Sequence, residues 1–267
     1  MAVYRFGAGP APLLVSMPHV GLEVPEAIGG RLSEAALGLP DTDWHVDRLY
    51  DFLEALGANW IAANYSRYVI DLNRAPDGQA LYSGARETEL CPTTSFAEAP
   101  LYRPGQAPDE AEVAERRERY WKPYHERLNE TLAALSERHG RVLLWDAHSI
   151  LSHVPRFFEG RLPDLNLGSR GGTSADAELI ERVASVATEA EAEGFSQALD
   201  GRFKGGYITR NYGRPQAGIH ALQLELSQIT YMDEQPPFSF REDLACRIRP
   251  VLRRLLEAAL AWARAEG

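Results

Sequence analysis

The stretch Val142-Leu143-Leu144-Trp145-Asp146-Ala147-His148-Ser149 decides the fold. Four bulky apolar residues in succession read as a buried strand, and polar residues follow at once where that strand ends. Outward from it, short apolar runs alternate with longer helical patterns, the mark of an α/β layer fold. Leu13–Met17 reads as the first strand and runs into Pro18-His19. Residues 60–63, 68–72, 207–209 and 219–226 read as further strands. Helical spacing over 43–56 (Val46, Leu49, Tyr50, Leu53, Leu56) predicts one helix. A charged helix is expected over 108–138, kinked near Pro123. An acidic one follows over 174–193, capped by Ser174 and stopped by Gly194. An amphipathic helix closes the chain over 241–265. Residues 75–108 form a long Pro/Gly/Ser/Thr-rich loop of the kind that often carries function. No repeat or low-complexity linker divides the sequence, so the expectation is one domain spanning 1–267.

Composition narrows the partners. The 267 residues carry 38 acidic and 28 basic side chains, a net charge of −10, and all the basic ones but Lys122 and Lys204 are arginines. That balance excludes a broad nucleic-acid or anionic-membrane footprint. No apolar run reaches the length of a membrane span. The apolar run near Leu13 is short for a signal peptide, and Cys91 and Cys246 form no metal or disulfide pattern. A cytoplasmic location is the expectation.

The chemistry gathers where the expected strands end, which is where open α/β sheets bind ligands. Five segments qualify: 16–19, 41–45, 71–74, 146–149 and 223–227. His19 and His148 are natural zinc ligands, since a catalytic zinc takes about three N or O ligands and keeps one position open. Asp146, two residues before His148, shares its strand face and is placed to orient the imidazole. In Ala221-Leu222-Gln223-Leu224-Glu225-Leu226, alternation sets Gln223 and Glu225 on one face and the leucines on the other. If the leucines fill the core, Glu225 faces a cleft, where burial raises a carboxyl toward general-base duty. Asn73-Arg74 offers an amide and a bidentate guanidinium. Residues 204–207 and 210–214 form a glycine-flanked cationic stretch that either clamps an anion or makes a surface hairpin.

Taken in chain order, the strand-ending His19, the DLNR of 71–74, the HS of 148–149 and the LEL of 224–226 resemble the zinc carboxypeptidase-like fold. More closely, eight ordered motifs are similar to the N-formylglutamate deformylase (amidohydrolase) family. They are SMPHVG (16–21), LPDTDWHVDRLYDF (39–52), YSRYVIDLNR (65–74), WKPYH (121–125), LLWDAHSI (143–150), LPDLNLG (162–168), GRFKGGYITRNYGRP (201–215) and LQLELSQITYM (222–232). The resemblance implies a three-layer α/β/α fold with a mixed central sheet, phosphorylase/hydrolase-like in architecture. It implies a zinc-dependent amidohydrolase that converts N-formyl-L-glutamate to L-glutamate and formate at the end of a histidine degradation route.

The resemblance also distributes roles. It puts one zinc on His19, a carboxylate and His148, and makes Glu225 the general base. The peptidase pattern HxxE fails here, because Leu22 stands three after His19 and Glu23 one further. Asp43 is therefore the first choice for the third ligand, with His45 second and Glu23 third. For a dianionic substrate, Asn73, Arg74 and Arg210 are the first carboxylate partners, with Tyr212 and Arg214 behind them. Another small N-acyl amino-acid amidohydrolase, a carboxypeptidase-like metallohydrolase and a non-catalytic carboxylate-binding protein remain the rival readings. A serine hydrolase is disfavoured because no GxSxG elbow occurs, and Cys91 precedes a proline with no evident base.

Overall fold

The computed structural model describes residues 2–78 and 88–265. Leu13–Met17 (β2) and Val142–Ile150 (β4) lie side by side in parallel, with Leu13 opposite Leu143 and Ser16 opposite Asp146. Five more strands complete the sheet: Tyr4–Gly7 (β1), Asn59–Ala63 (β3), Leu165–Gly168 (β5), Gln197–Leu199 (β6) and Ile219–Ser227 (β7). The order is β1-β3-β2-β4-β7-β5-β6. The central four, β3-β2-β4-β7, are parallel, while β1 and β5 join antiparallel to β3 and β7. The expected mixed sheet is present.

Every residue of β2, β4 and β7 is buried, as parallel strands covered on both faces must be. Alternation sorts them. Leu143, Trp145, Leu222, Leu224 and Leu226 pack with the amphipathic helices Ala177–Glu189 and Glu242–Arg264 on one face. Val142, Leu144 and Ala221 pack with Tyr124, Leu128 and Leu132 of helix Lys122–His139 on the other. Trp145 is fully buried, and its Nε1–H donates to Tyr50 Oη at 3.0 Å. The polar residues Asp146, His148, Gln223 and Glu225 therefore emerge on the second face, toward the carboxyl ends of the strands.

Five local expectations are corrected. Residues 68–72 form a turn rather than a strand, with Val69 N–H bonded to Ser66 O at 2.9 Å. The expected strand at 207–209 is the start of helix Tyr207–Tyr212. Asn73 Oδ1 accepts the Ile208 N–H at 2.7 Å, so a tertiary contact satisfies a helix-start donor and overrides the β-propensity of Tyr-Ile-Thr. The helix expected over 43–56 is two short turns, Val46–Leu49 and Leu53–Leu56, the first entered through His45 at φ +61°. The long charged helix breaks ahead of Pro123, at a π-helical turn Arg117–Trp121, and Pro123 sits harmlessly in the first turn of Lys122–His139. The acidic helix is capped by Asp176, which accepts from Glu178 N–H, and not by Ser174, whose Oγ bonds Ala221 O. It still ends at Gly194, at φ +92°. Of the 75–108 loop, residues 79–87 lie outside the described residues.

Candidate active site

Where β2 ends, the chain turns through Pro18, and His19 enters a buried cluster with Asp43 and His148. One ligand atom from each, two imidazole nitrogens and one carboxylate oxygen, all lie within 4.8 Å of one another. Asp43 Oδ2 is 3.0 Å from His148 Nδ1 and 3.6 Å from His19 Nδ1. The outer nitrogens are held from behind: His19 Nε2 is 2.7 Å from Asp71 Oδ1, and His148 Nε2 is 3.0 Å from Asp146 Oδ2. With each Nε2 donating its proton to a carboxylate, each Nδ1 presents its lone pair toward Asp43.

This donor set suits a divalent cation, and the electrostatics ask for one. Asp43, Asp71 and Asp146 are buried together, with Arg67 as the one buried guanidinium among them. Arg67 Nη2 is 2.8 Å from Asp71 Oδ2, and its Nη1 is 3.8 Å from Asp43 Oδ1. Asp146 Oδ1 is buried with no hydrogen-bond partner. An excess of buried negative charge is costly unless a cation compensates it. Burial works to raise Asp43, but His19 and His148 overcome it and hold its pKa below the usual carboxylate range. Burial likewise works to lower His148, and Asp146 and Asp43 overcome it, holding the imidazole well above its ordinary pKa.

Glu225 pairs with His148 in the β4–β7 ladder, so the two side chains emerge as neighbours on one face. Its Oε2 accepts from Gln223 Nε2 at 3.3 Å. Burial pushes the Glu225 carboxyl up to about 8, with His148 opposing and Asp43 adding to the rise. The face assigned to Gln223 and Glu225 by alternation is the one that opens onto a cleft, whose floor also includes His19, Asp43 and His148.

The remaining candidates divide. Asp146 touches His148 as anticipated. Asn73 reaches the cleft, but its amide is committed: Oδ1 accepts from Ile208 N–H, and Nδ2 stands 2.9 Å from His148 Nε2 and 3.3 Å from Asp146 Oδ2. Arg74 lines the cleft while donating to the carbonyls of Thr88 and Asn73. Arg210 does not reach the cleft wall, since its Nε donates to Gly205 O at 2.9 Å. Tyr212 is buried in the core and does not line the cleft, with Oη 2.8 Å from His125 Nδ1. Arg214 is exposed outside the cleft. His45 turns to the carbonyl of Phe238 at 2.8 Å, and Glu23 is exposed beside Tyr65, so neither joins the His19–Asp43–His148 cluster. Asp71 and Arg67 were not singled out from sequence. The signal for Asp71 was its place in DLNR, two residues before Asn73.

A parallel-centred α/β sheet that brings two imidazoles from separate strand ends to a loop carboxylate, beside a buried glutamate, is the arrangement of a hydrolase with a site fit for a metal. The comparisons narrow this class. The family model for N-formylglutamate amidohydrolase matches residues 11–232. The N-formylglutamate deformylase of Pseudomonas aeruginosa is 55% identical, covering 98% of this chain and 97% of that protein. The N-formylglutamate deformylase of Pseudomonas putida is 53% identical, covering 97% and 96%. The crystal structure of N-formylglutamate amidohydrolase from Ralstonia eutropha JMP134 superposes with a TM-score of 0.80 at 26% identity, covering 98% of this chain and 97% of that one. The chain belongs to the N-formylglutamate amidohydrolase family, and it is a hydrolase acting on an amide.

Proposed function

We propose that this protein hydrolyses N-formyl-L-glutamate to L-glutamate and formate with one zinc ion held by His19, Asp43 and His148. The observation that carries the proposal is the ladder pairing of His148 with Glu225, which sets a proton-accepting carboxyl beside a closed N,N,O donor set. The names of the relatives supply the substrate. The place at the end of a histidine degradation route rests on the family resemblance.

Zinc, when bound, supplies Lewis acidity: it acidifies water and polarises a carbonyl oxygen. The rest falls to the chain. Asp71 and Asp146 fix the tautomers of His19 and His148, keeping each Nδ1 free. Glu225 takes the proton of the attacking water and later delivers it to the leaving amine nitrogen, as base and then acid. Burial raises this carboxyl toward the range that suits both roles, and the Gln223 amide keeps one of its oxygens in place. Arg74 receives a substrate carboxylate at the cleft wall, and Asn73 holds the His148–Asp146 pair beside it. The formyl group is small, so binding at the carboxylates must position it. In this reading residues 1–267 act as one catalytic unit, because one sheet carries His148 and Glu225 and presents His19 just past β2, and the loop bearing Asp43 is bonded to His19 O through the Asp43 N–H at 3.0 Å.

The test is metal analysis of the purified protein beside formate release from a panel of N-formyl amino acids. Stoichiometric zinc and turnover of N-formyl-L-glutamate are expected. Turnover that survives complete chelation, or hydrolysis of N-acetyl-L-glutamate in preference to the formyl compound, overturns the proposal.

A further inference from the structure

The mouth of the cleft is cationic although the protein is strongly acidic. Arg74, Arg202 and Lys204 line it, and among the described residues none of the three has a carboxylate within ion-pair distance. Arg67, deeper in the same cleft, differs: its charge is taken up by Asp71 and Asp43. In a chain with 38 acidic side chains, several surface arginines find one, as Arg5, Arg182, Arg241 and Arg253 do. Among the described residues, Arg202 and Lys204 stand on one concave wall with no carboxylate in ion-pair distance, and Arg74 beside them shares the field of the buried Asp71, which leaves a local positive potential suited to an anionic ligand.

Lys204 is the best placed to read that ligand. Its backbone is fixed on both sides: Lys204 O accepts the Arg170 N–H at 2.6 Å, and Gly206 N–H donates to Gln223 Oε1 at 2.7 Å. Two glycines allow this approach. Gly205 stands at φ +116°, and a Cβ on Gly206 would come within 2.3 Å of Asn73 Nδ2. The turn is thus pressed against Asn73 and tied through Gln223 to Glu225, while Lys204 itself is exposed and lines the cleft. Arg202 is braced nearby, with Nε donating to Phe157 O at 2.5 Å and its guanidinium 5.7 and 5.3 Å from the Phe157 and Phe203 rings.

We propose that Lys204, supported by Arg202, binds the side-chain carboxylate of the substrate and selects an acidic over a neutral amino-acid side chain. This rests on the deformylase reading, and it assigns the second carboxylate of the dianion to a residue on the turn before helix Tyr207–Tyr212. A charge-assisted hydrogen bond of this kind is worth roughly ten- to hundred-fold in binding.

The experiment compares kcat/KM for N-formyl-L-glutamate and for its uncharged counterpart N-formyl-L-glutamine in the wild type, Lys204→Met and Lys204→Arg, each checked for an unchanged melting curve. The wild type is expected to prefer the glutamate compound. In Lys204→Met that preference falls at least about ten-fold, chiefly through KM, and Lys204→Arg restores most of it. An equal loss on both substrates, or an unchanged preference, overturns the assignment while leaving the deformylase reading standing. A wild type that turns over neither compound overturns the deformylase reading itself.

Discussion

Asp71 Oδ1 lies 2.7 Å from His19 Nε2, and that contact decides which nitrogen of the imidazole faces Asp43. The same carboxylate bonds Arg67 through its other oxygen at 2.8 Å, so one side chain orients the His19 imidazole and neutralises a buried cation. Asp71→Asn is expected to weaken zinc affinity about 10- to 100-fold and to lower stability as well, because Arg67 loses its counter-charge. Asp146→Asn acts on His148 with no arginine in the same role, and should weaken zinc without the same stability loss. Equilibrium titration with a chromophoric chelator reads the affinity; wild-type affinity in both variants would remove these carboxylates from metal binding.

Glu225→Gln keeps the shape and the Gln223 contact but removes the proton acceptor. We expect kcat for formate release to fall about 10²- to 10⁴-fold while zinc stays stoichiometric. Activity within a few-fold of wild type would assign the base to another residue.

Chelation should abolish activity and lower the melting temperature together, and added zinc should restore both. Free zinc at a hundred-fold above its dissociation constant stabilises a protein by about 2.7 kcal/mol. A melting curve indifferent to zinc would mean that the His19–Asp43–His148 cluster holds no ion.

His125 offers a pH test remote from the centre. Its Nε2 bonds Leu72 O at 2.9 Å, its Nδ1 meets Tyr212 Oη, and burial pushes its pKa down to about 3. The unfolded chain protonates this residue below about 6.5 while the folded one resists, so its contribution is intact above that pH and is lost as pH falls. Between pH 6.5 and 4, wild type should lose about 1.4 kcal/mol per pH unit relative to His125→Gln. Parallel stability profiles would contradict a neutral buried imidazole.

Tyr212→Phe distinguishes a core residue from a substrate contact. Losing the hydroxyl leaves His125 Nδ1 unpaired in the interior and should cost about 1–3 kcal/mol in denaturant unfolding. KM should be unchanged, and a raised KM with unchanged stability would return Tyr212 to the cleft.

Sequence pattern reached furthest where a single periodicity governs. In β7 the strict alternation placed Leu222, Leu224 and Leu226 in the core and aimed Gln223 and Glu225 at the cleft. It fell short where a residue's role depends on a partner distant in the chain. Asp71 and Asn73 stand two apart in one motif, yet His19, 52 residues from Asp71, makes the first an orienting carboxylate. The amide of Asn73 is taken up by Asp146 and Ile208. Arg67 was hidden for the same reason, since its spacing of four from Asp71 is helical and the segment is neither helix nor strand. Residues 207–209 misled because β-branched and aromatic residues favour strands until a side chain such as Asn73 caps them into a helix.

The pairing of His148 with Glu225 across β4 and β7 also limits how this chain can change length. Exposed loop residues that touch neither the core nor the cleft can be gained or lost at little cost, because no ladder counts them. Within the two nine-residue strands, one inserted residue before either side chain would swing it to the opposite face, into the leucine-rich layer. Insertions and deletions should therefore be tolerated in such loops and forbidden within the two strands, so that the outer surface can diverge while the frame of the cleft floor cannot.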